Sequence, residues 1–332
     1  IIDGFFQYFT GQNILGFPAG HHYRISSFFG NELVMGSYLS RLFPLLYALY
    51  LIKPKQKLEM YLMGLLFILV HILIFISGER TSFLFLILSS FFIIVLVKGH
   101  YHLRLTTLVT SIILIIFIAQ NSPKLSYRMF VGPGLEIGLL DVNMFSREYL
   151  ISSGHYGWQN PAPPKDQISK NKDLIASEKL VIFSPAHDSL IRTAYNMFKD
   201  RPLFGHGPKM FRVLCKDQKY AYGMSPCMTH PHNFYVQLLA ETGIIGFLFL
   251  FSCMLYVTFA SLWQIKTIIL RQKRFLTDYQ VCLLAGILIS IWPISPNGNF
   301  FNNWLMIIYS LPVGFYLQSI YSKNKVIEEK RI

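Results

Sequence analysis

The sequence is short of charge. Only 14% of its 332 residues are Asp, Glu, Lys or Arg against 53% hydrophobic, with a mean hydropathy of +0.41, and such a chain lacks the charged surface that a soluble protein of this length displays. Cysteine is scarce as well. Four residues are too few for a disulfide scaffold. Acidic residues, 17 against 30 basic ones, are the scarcer sign. Aromatics are abundant instead: 29 Phe and 19 Tyr exclude a disordered chain. What is left is an integral membrane protein.

A span needs about 20 mostly apolar residues to cross about 30 Å of hydrocarbon. Seven stretches qualify, some at the short end of the range: 33–52, 60–77, 82–97, 103–119, 243–262, 279–295 and 301–319. Between the fourth and the fifth lies 120–242, polar and punctuated by Pro and Gly, with no apolar run of spanning length. The expected organisation is therefore an external segment and four spans over 1–119, an external loop domain over 120–242, and three spans with a cytoplasmic tail over 243–332. The expected fold class is an all-α polytopic membrane helix bundle with a large periplasmic loop domain.

Lys and Arg in short connections set the orientation, because cytoplasmic loops keep positive charge. Lys53, Lys55 and Lys57, then Lys98 and Arg104, then Lys266, Arg271, Lys273 and Arg274, then Lys323, Lys325, Lys330 and Arg331 put every second connection and the tail on the cytoplasmic side. The alternate connections carry only Arg80, or no basic residue in 295–299. Most of the net charge of +13 is thus topology: the cytoplasmic segments hold 13 basic and 4 acidic residues, 120–235 holds 14 and 9, and the rest 3 and 4. The bilayer accounts for the basicity without a nucleic-acid partner. A chain with an odd number of spans and a cytoplasmic end begins outside, yet 1–32 has no start Met, signal peptide or spanning helix. Further spans upstream are expected.

In the large loop, Ser184-Pro185 reads as a helix start, with the helix running to about Lys199. Leu190, Ile191, Ala194, Tyr195, Met197 and Phe198 share one side by spacing, and Arg192, Asn196 and Lys199 the other. Pro202-Leu203-Phe204-Gly205-His206-Gly207-Pro208 then stops the helix in a tight turn whose amides could approach an anion. Cys215 and Cys227 lie in the same external loop, where an oxidising compartment lets them pair; the alternative is a metal site with His230 and His232, although the Cys spacing is not that of a zinc knuckle. Cys253 and Cys282 fall in spans as packing residues. The densest polar run is Thr229-His230-Pro231-His232-Asn233, leading through Gln237 and Glu241 into the fifth span, and His232 is a candidate general base because imidazole exchanges a proton near neutral pH. Arg41 falls midway along the first span, where a charge is costly and usually lines a polar site. His71, in the second, is expected to be a packed, hydrogen-bonded core residue.

Arg192, Pro202-Leu203-Phe204-Gly205-His206-Gly207 and the run His230-Pro231-His232-Asn233 through Glu241-Thr242-Gly243-Ile244-Ile245-Gly246 together resemble the O-antigen ligase and polymerase family. The likeness extends to Asp3-Gly4-Phe5-Phe6-Gln7, to Arg24-Ile25-Ser26-Ser27 and to Ser77-Gly78-Glu79-Arg80, where many relatives have a Ser-Arg pair in place of the last four. The resemblance implies a bundle of the GT-C type in the bacterial inner membrane. It implies metal-independent, inverting glycan transfer, without cofactor, from an undecaprenyl-diphosphate donor to lipid A–core, or to another lipid-linked glycan in the polymerases.

The residues meet this chemistry from the other side. A departing lipid diphosphate needs fixed cations or a metal, and guanidinium offers planar paired donors. No Asp-x-Asp, the usual metal-binding motif of glycosyltransferases, occurs in the chain, which favours arginine. The expected catalytic residues are His232 as base with Arg192 and Arg80 on the diphosphate; Arg24, Arg41, Arg201, His206, His230 and Asn233 are expected to bind substrate. The ligase is favoured over the polymerase on the compact His-Pro-His-Asn arrangement. A lipid-glycan transporter would show internal repeats and midplane polarity, and a scaffold would not need Arg and His gathered beside the membrane. Residues 143–180, containing Trp158 and a Pro-rich run, are expected to act as a flap over the acceptor.

Overall fold

A computed structural model describes the chain except for residues 21–23, 53–55, 137–138, 154–184, 224 and 330–332. Ser184 and most of the expected flap lie outside the described residues. The rest is helical, with no strand beyond two isolated bridges among the described residues. The helices are α1 (Ile2–Thr10), α2 (Met35–Tyr50), α3 (Lys57–Ile76), α4 (Arg80–Leu96), α5 (Tyr101–Asn121), the short α6 (Pro123–Ser126), α7 (Gly132–Glu136) and α8 (Arg147–Ser152), then α9 (Pro185–Asp200), α10 (Phe211–Leu214), α11 (Phe234–Ile269), α12 (Asp278–Ser290) and α13 (Asn303–Glu329).

A helix falls on each of the seven apolar stretches, but their lengths differ, and the one over 279–295 ends at Ser290. α3, α5, α11 and α13 up to Ser322 are long and apolar enough to cross a bilayer, with mean hydropathies of 2.3, 2.0, 2.1 and 1.2. α4 and α12 are apolar but shorter, 17 and 13 residues, and α2 has 16. The shortness of α12 fits its position: every residue from Gln280 to Ser290 is buried, and the helix packs against α2, α4 and α13 at the centre of the bundle. Its sequence supplies its own start, since Thr277 and Gln280 form a reciprocal capping box. The core joins Phe43, Tyr47 and Ala48 of α2, Phe67 and Ile74 of α3, Leu86 and Ile93 of α4 and Val281 to Leu288 of α12. His71 lies among them, its ring nitrogens hydrogen-bonded to the Phe67 carbonyl at 2.6 Å and to Ser90 Oγ at 3.2 Å, as expected from its place in the second apolar run.

The connections sort to two ends. At one, the amides of Lys98 and Gly99 donate to the Asp278 carboxylate, and Arg274 Nη1 donates to the Leu96 carbonyl. At the other, Tyr8 Oη meets Ser122 Oγ, Arg128 Nε donates to the Gly78 carbonyl, and the Asn297 amide donates to the His232 carbonyl. These contacts join the N-terminal segment to the end of α5, the stretch after α5 to the turn between α3 and α4, and His232 to the turn between α12 and α13.

The N-terminal segment is built on polar side chains turned inward. Gln7 Oε1 accepts the Ser26 and Ser27 amides, and the Asp3 carboxylate accepts the Ile14 amide and the Ser27 hydroxyl. These residues of the family-like stretches serve the fold.

Candidate active site

α9 packs on the start of α11. Leu190, Thr193, Ala194 and Met197 are its buried stripe, at spacings of three and four. Tyr195 is 51% exposed, so it leaves the side expected for it; Lys199 sits over its ring instead, 5.1 Å from the centroid. Arg192 pairs with Asp188 one turn earlier at 2.8 Å and lies 5.3 Å from the Tyr222 ring centroid. The carboxylate beside it raises its already high pKa.

The Gly-rich turn corrects one expectation. Its amides are spent within the protein: Gly205 donates to the Arg201 carbonyl, His206 to Ala240 and Gly207 to Glu241. They do not face an anion. Gly205 and Gly243 have positive φ, 65° and 66°, and a Cβ on either would strike the backbone of the opposite segment, Glu241 and Thr242 from Gly205, Leu203 and Phe204 from Gly243. The Gly-x-Gly turn and the Glu-x-Gly of α11 are thus two halves of one backbone contact. Gly243, with ψ −163°, also kinks α11 there.

His206 and Asn233, expected on substrate, are likewise committed to the fold. His206 Nε2 bonds the Met197 carbonyl at 3.0 Å under the Tyr220 ring. Asn233 caps α11, its Oδ1 accepting from Tyr235 and Val236 while Nδ2 donates to the Pro293 carbonyl. Arg201 is exposed at the end of α9. Glu241 is fully buried, accepting from the Phe211 amide at 2.8 Å and from Gln237 Nε2 at 2.9 Å; Gln237 in turn reaches Asn299 Oδ1 and the Phe300 amide. This network ties the loop domain to the turn before α13. Cys215 and Cys227 are disulfide-bonded beneath it, closing a loop of a size worth about 3 kcal/mol in the chain-entropy view.

Two groups of side chains remain open to chemistry. In the first, three histidines meet: the His230 and His232 rings are 4.2 Å apart between centroids, and the His187 and His232 rings 5.4 Å. His187, on the first turn of α9, was not legible in the sequence because its partner is 45 residues away. Burial lowers the pKa of His232, and the neighbouring His187 lowers it further; burial, then His232, push His230 down to about 4. Both rings are therefore held neutral at pH 7. His232 is in the left-handed region, φ 57°, uncommon for a residue with a side chain.

The second group surrounds the turn between α3 and α4. Arg80 Nε donates to the Arg128 carbonyl at 2.8 Å, Arg128 Nε to the Gly78 carbonyl at 2.7 Å, and Arg24 Nη2 to the Leu33 carbonyl at 2.9 Å. Arg24 and Arg80 are close enough to repel. A π-helical turn over Tyr127–Val131 presents the Arg128 carbonyl, and such widened turns recur at functional sites. Arg128 is absent from the expectations above; its only sequence signal is its place in the polar stretch just after α5. Glu79, the departure from the family pattern, closes the group: its buried carboxylate accepts the Gly36 amide at 2.7 Å, the Ser37 amide at 3.0 Å and the Ser82 hydroxyl at 2.9 Å, capping α2 beside Arg24. Burial raises its pKa, and these contacts and Arg24 oppose the rise. α2 runs from this second group toward the first, its Arg41 reaching Asn297.

The fold defines a polytopic helical membrane protein. The family model described as O-antigen ligase matches residues 64–251, more than half of the chain and inclusive of Arg80, Arg128, Arg192 and His232, and the chain belongs to the O-antigen ligase family. It is accordingly a multi-pass inner-membrane protein and a glycosyltransferase-like enzyme of the ligase and polymerase type, working on lipid-linked glycans. No curated protein and no solved structure matches it.

Proposed function

We propose that the protein transfers a glycan from an undecaprenyl-diphosphate donor to a sugar hydroxyl of lipid A–core, with inversion and without metal. The observation that carries this is His232, neutral at pH 7 and set between two further histidines, because a neutral imidazole can take up the proton of the attacking hydroxyl. The acceptor oxygen attacks the anomeric carbon of the donor; the bond from that carbon to the diphosphate breaks and the electron pair leaves with the diphosphate. The acceptor proton passes to the free imidazole nitrogen of His232. Arg192 supplies charge on the α9 side, and Arg80, with Arg24 and Arg128 beside it, supplies guanidinium donors at the turn between α3 and α4. The end of the bundle that carries these groups, with residues 120–242, faces the periplasm and the C-terminus faces the cytoplasm, as the distribution of Lys and Arg supports.

Purified protein given lipid-linked donor, with either lipid A–core or a second donor as acceptor and EDTA present, tests the reading. Product on lipid A–core is the expected result. Lengthened donor alone would make the enzyme a polymerase, and inhibition by EDTA would refute the metal-free mechanism.

The pH profile follows from the histidines. Burial depresses the folded pKa of His232 below its ordinary 6.5, so the base stays unprotonated from alkaline pH down past that value. The rate should hold through pH 6.5 and fall only below it, the acid limb of kcat/KM reporting the free enzyme. An acid limb above pH 7 would rule out His232 as the base. Stability moves in the same sense: the unfolded chain takes up protons on these histidines below about 6.5 while the folded chain resists, so stability present above that pH is lost as the pH drops toward the His230 value of about 4.

A further inference from the structure

Arg41 is 3% exposed inside the bundle, and among the described residues no carboxylate lies within ion-pair distance of it. Its guanidinium is sandwiched between the rings of Phe85 and Tyr309, 4.8 and 4.3 Å from their centroids. Nη1 donates to the Ser37 carbonyl at 3.1 Å and hydroxyl at 2.6 Å, Nη2 donates to Asn297 Oδ1 at 3.4 Å, and Nε is buried without a partner. A buried cation is expensive, and an apolar side chain of similar size would serve packing as well. The question is what the charge holds in place.

It holds Asn297, which is 4% exposed and holds the histidines. The Asn297 amide donates to the His232 carbonyl at 2.7 Å. The Asn297 carbonyl meets His230 Nε2 at 3.2 Å, and the His230 ring lies 4.2 Å from that of His232 between centroids. Asn297 Nδ2 reaches the Trp292 carbonyl at 3.5 Å. One residue thus pins the left-handed backbone of His232 and engages the His230 ring beside it.

We propose that Arg41 and Asn297 are positioning residues: through the turn between α12 and α13, the α2 cation fixes the backbone of His232 and, by way of the His230 ring packed against it, the direction of its imidazole. The catalytic part of this rests on His232 being the base; the positioning part does not. Asn297 and Arg41 are 256 residues apart in sequence and both lie outside the matched family segment.

The test uses the full-length protein in detergent or liposomes. Arg41→Gln and Asn297→Ala are expected to lower kcat by about 10- to 100-fold, the cost of a misplaced reacting group, with the donor KM unchanged and Arg41→Lys recovering part of the loss. The rate at which diethyl pyrocarbonate modifies His232, read by mass spectrometry on the same variants, should change together with kcat. By contrast, Arg80→Ala should raise the donor KM. Asn297→Ala leaves the charge in α2 intact and carries the test if Arg41→Gln fails to insert. An unchanged His232 modification rate in both variants overturns the pairing, and so does a raised donor KM at constant kcat for Arg41→Gln, which would put Arg41 on the substrate. A changed modification rate together with full activity of His232→Ala supports the pairing and removes the base.

Discussion

His232→Ala is expected to abolish glycan transfer, a loss of at least the 10²- to 10⁴-fold typical of a missing general base, while the protein still inserts and melts as before. The side chain is only partly buried and packs against other imidazoles rather than within the apolar core, so its removal leaves no large cavity. Arg192→Ala should be equally inactive, since its guanidinium is the only one on α9. His230→Ala is the informative contrast. Its ring bonds the Asn297 carbonyl, a supporting contact, and that variant should keep measurable activity. Full activity in His232→Ala, assayed with lipid-linked donor and lipid A–core, would end the mechanism.

The second large effect is structural. Gly243→Ala puts a methyl group onto the Leu203 and Phe204 backbone, at a φ of 66° that itself disfavours a side chain. At ψ −163° this backbone lies in a region essentially reserved for glycine, where a side chain costs about 1–3 kcal/mol, and overpacking against backbone adds about 1–3 kcal/mol. Neither segment can give way cheaply, because the Ile244 amide is bonded to Pro202 and the Gly207 amide to Glu241. Gly205→Ala meets the same contact from the other side and should behave alike. Both variants should melt lower, and both should lose transfer because α9 undocks from α11. An unchanged melting temperature for both would show that the turn is free to move, against the geometry.

Much of the fold was legible because hydrophobic runs are local. A helix falls on each of the seven apolar stretches, although the sixth ends at Ser290, short of the expected 295. The candidate site was legible only where its residues sit in one motif. His232 and Arg192 could be picked out by their chemistry and surroundings, but the roles of their neighbours depend on partners far along the chain. Gly205 and Gly207 look the same in sequence whether their amides face an anion or the carbonyls of Ala240 and Glu241. Asn233 looks like a ligand until the helix it caps is seen. His187 and Asn297 carry no local signal, and Arg128 only its place in the polar stretch after α5, since each acquires its role from a segment 45 or more residues away. The Tyr195 face failed for a related reason: helical spacing gives neighbours on a stripe but not which of two adjacent stripes meets α11.

The kink at Gly243 divides α11 into unequal parts. At about 1.5 Å per residue, the nine residues before it form a foot about 14 Å tall and the 27 from Gly243 to Ile269 a shaft about 40 Å long. The shaft alone exceeds a hydrocarbon layer of about 30 Å. The foot, with Asn233 at its tip and His232 just beyond, is therefore not needed to cross that layer. On the proposed function it is a gauge of height: a substrate tethered by its lipid tail offers its headgroup at one level only, and the length of chain between Ile269 and Asn233 decides whether the imidazole meets it there. Thinning or thickening the bilayer should then alter turnover without touching a single side chain of the site.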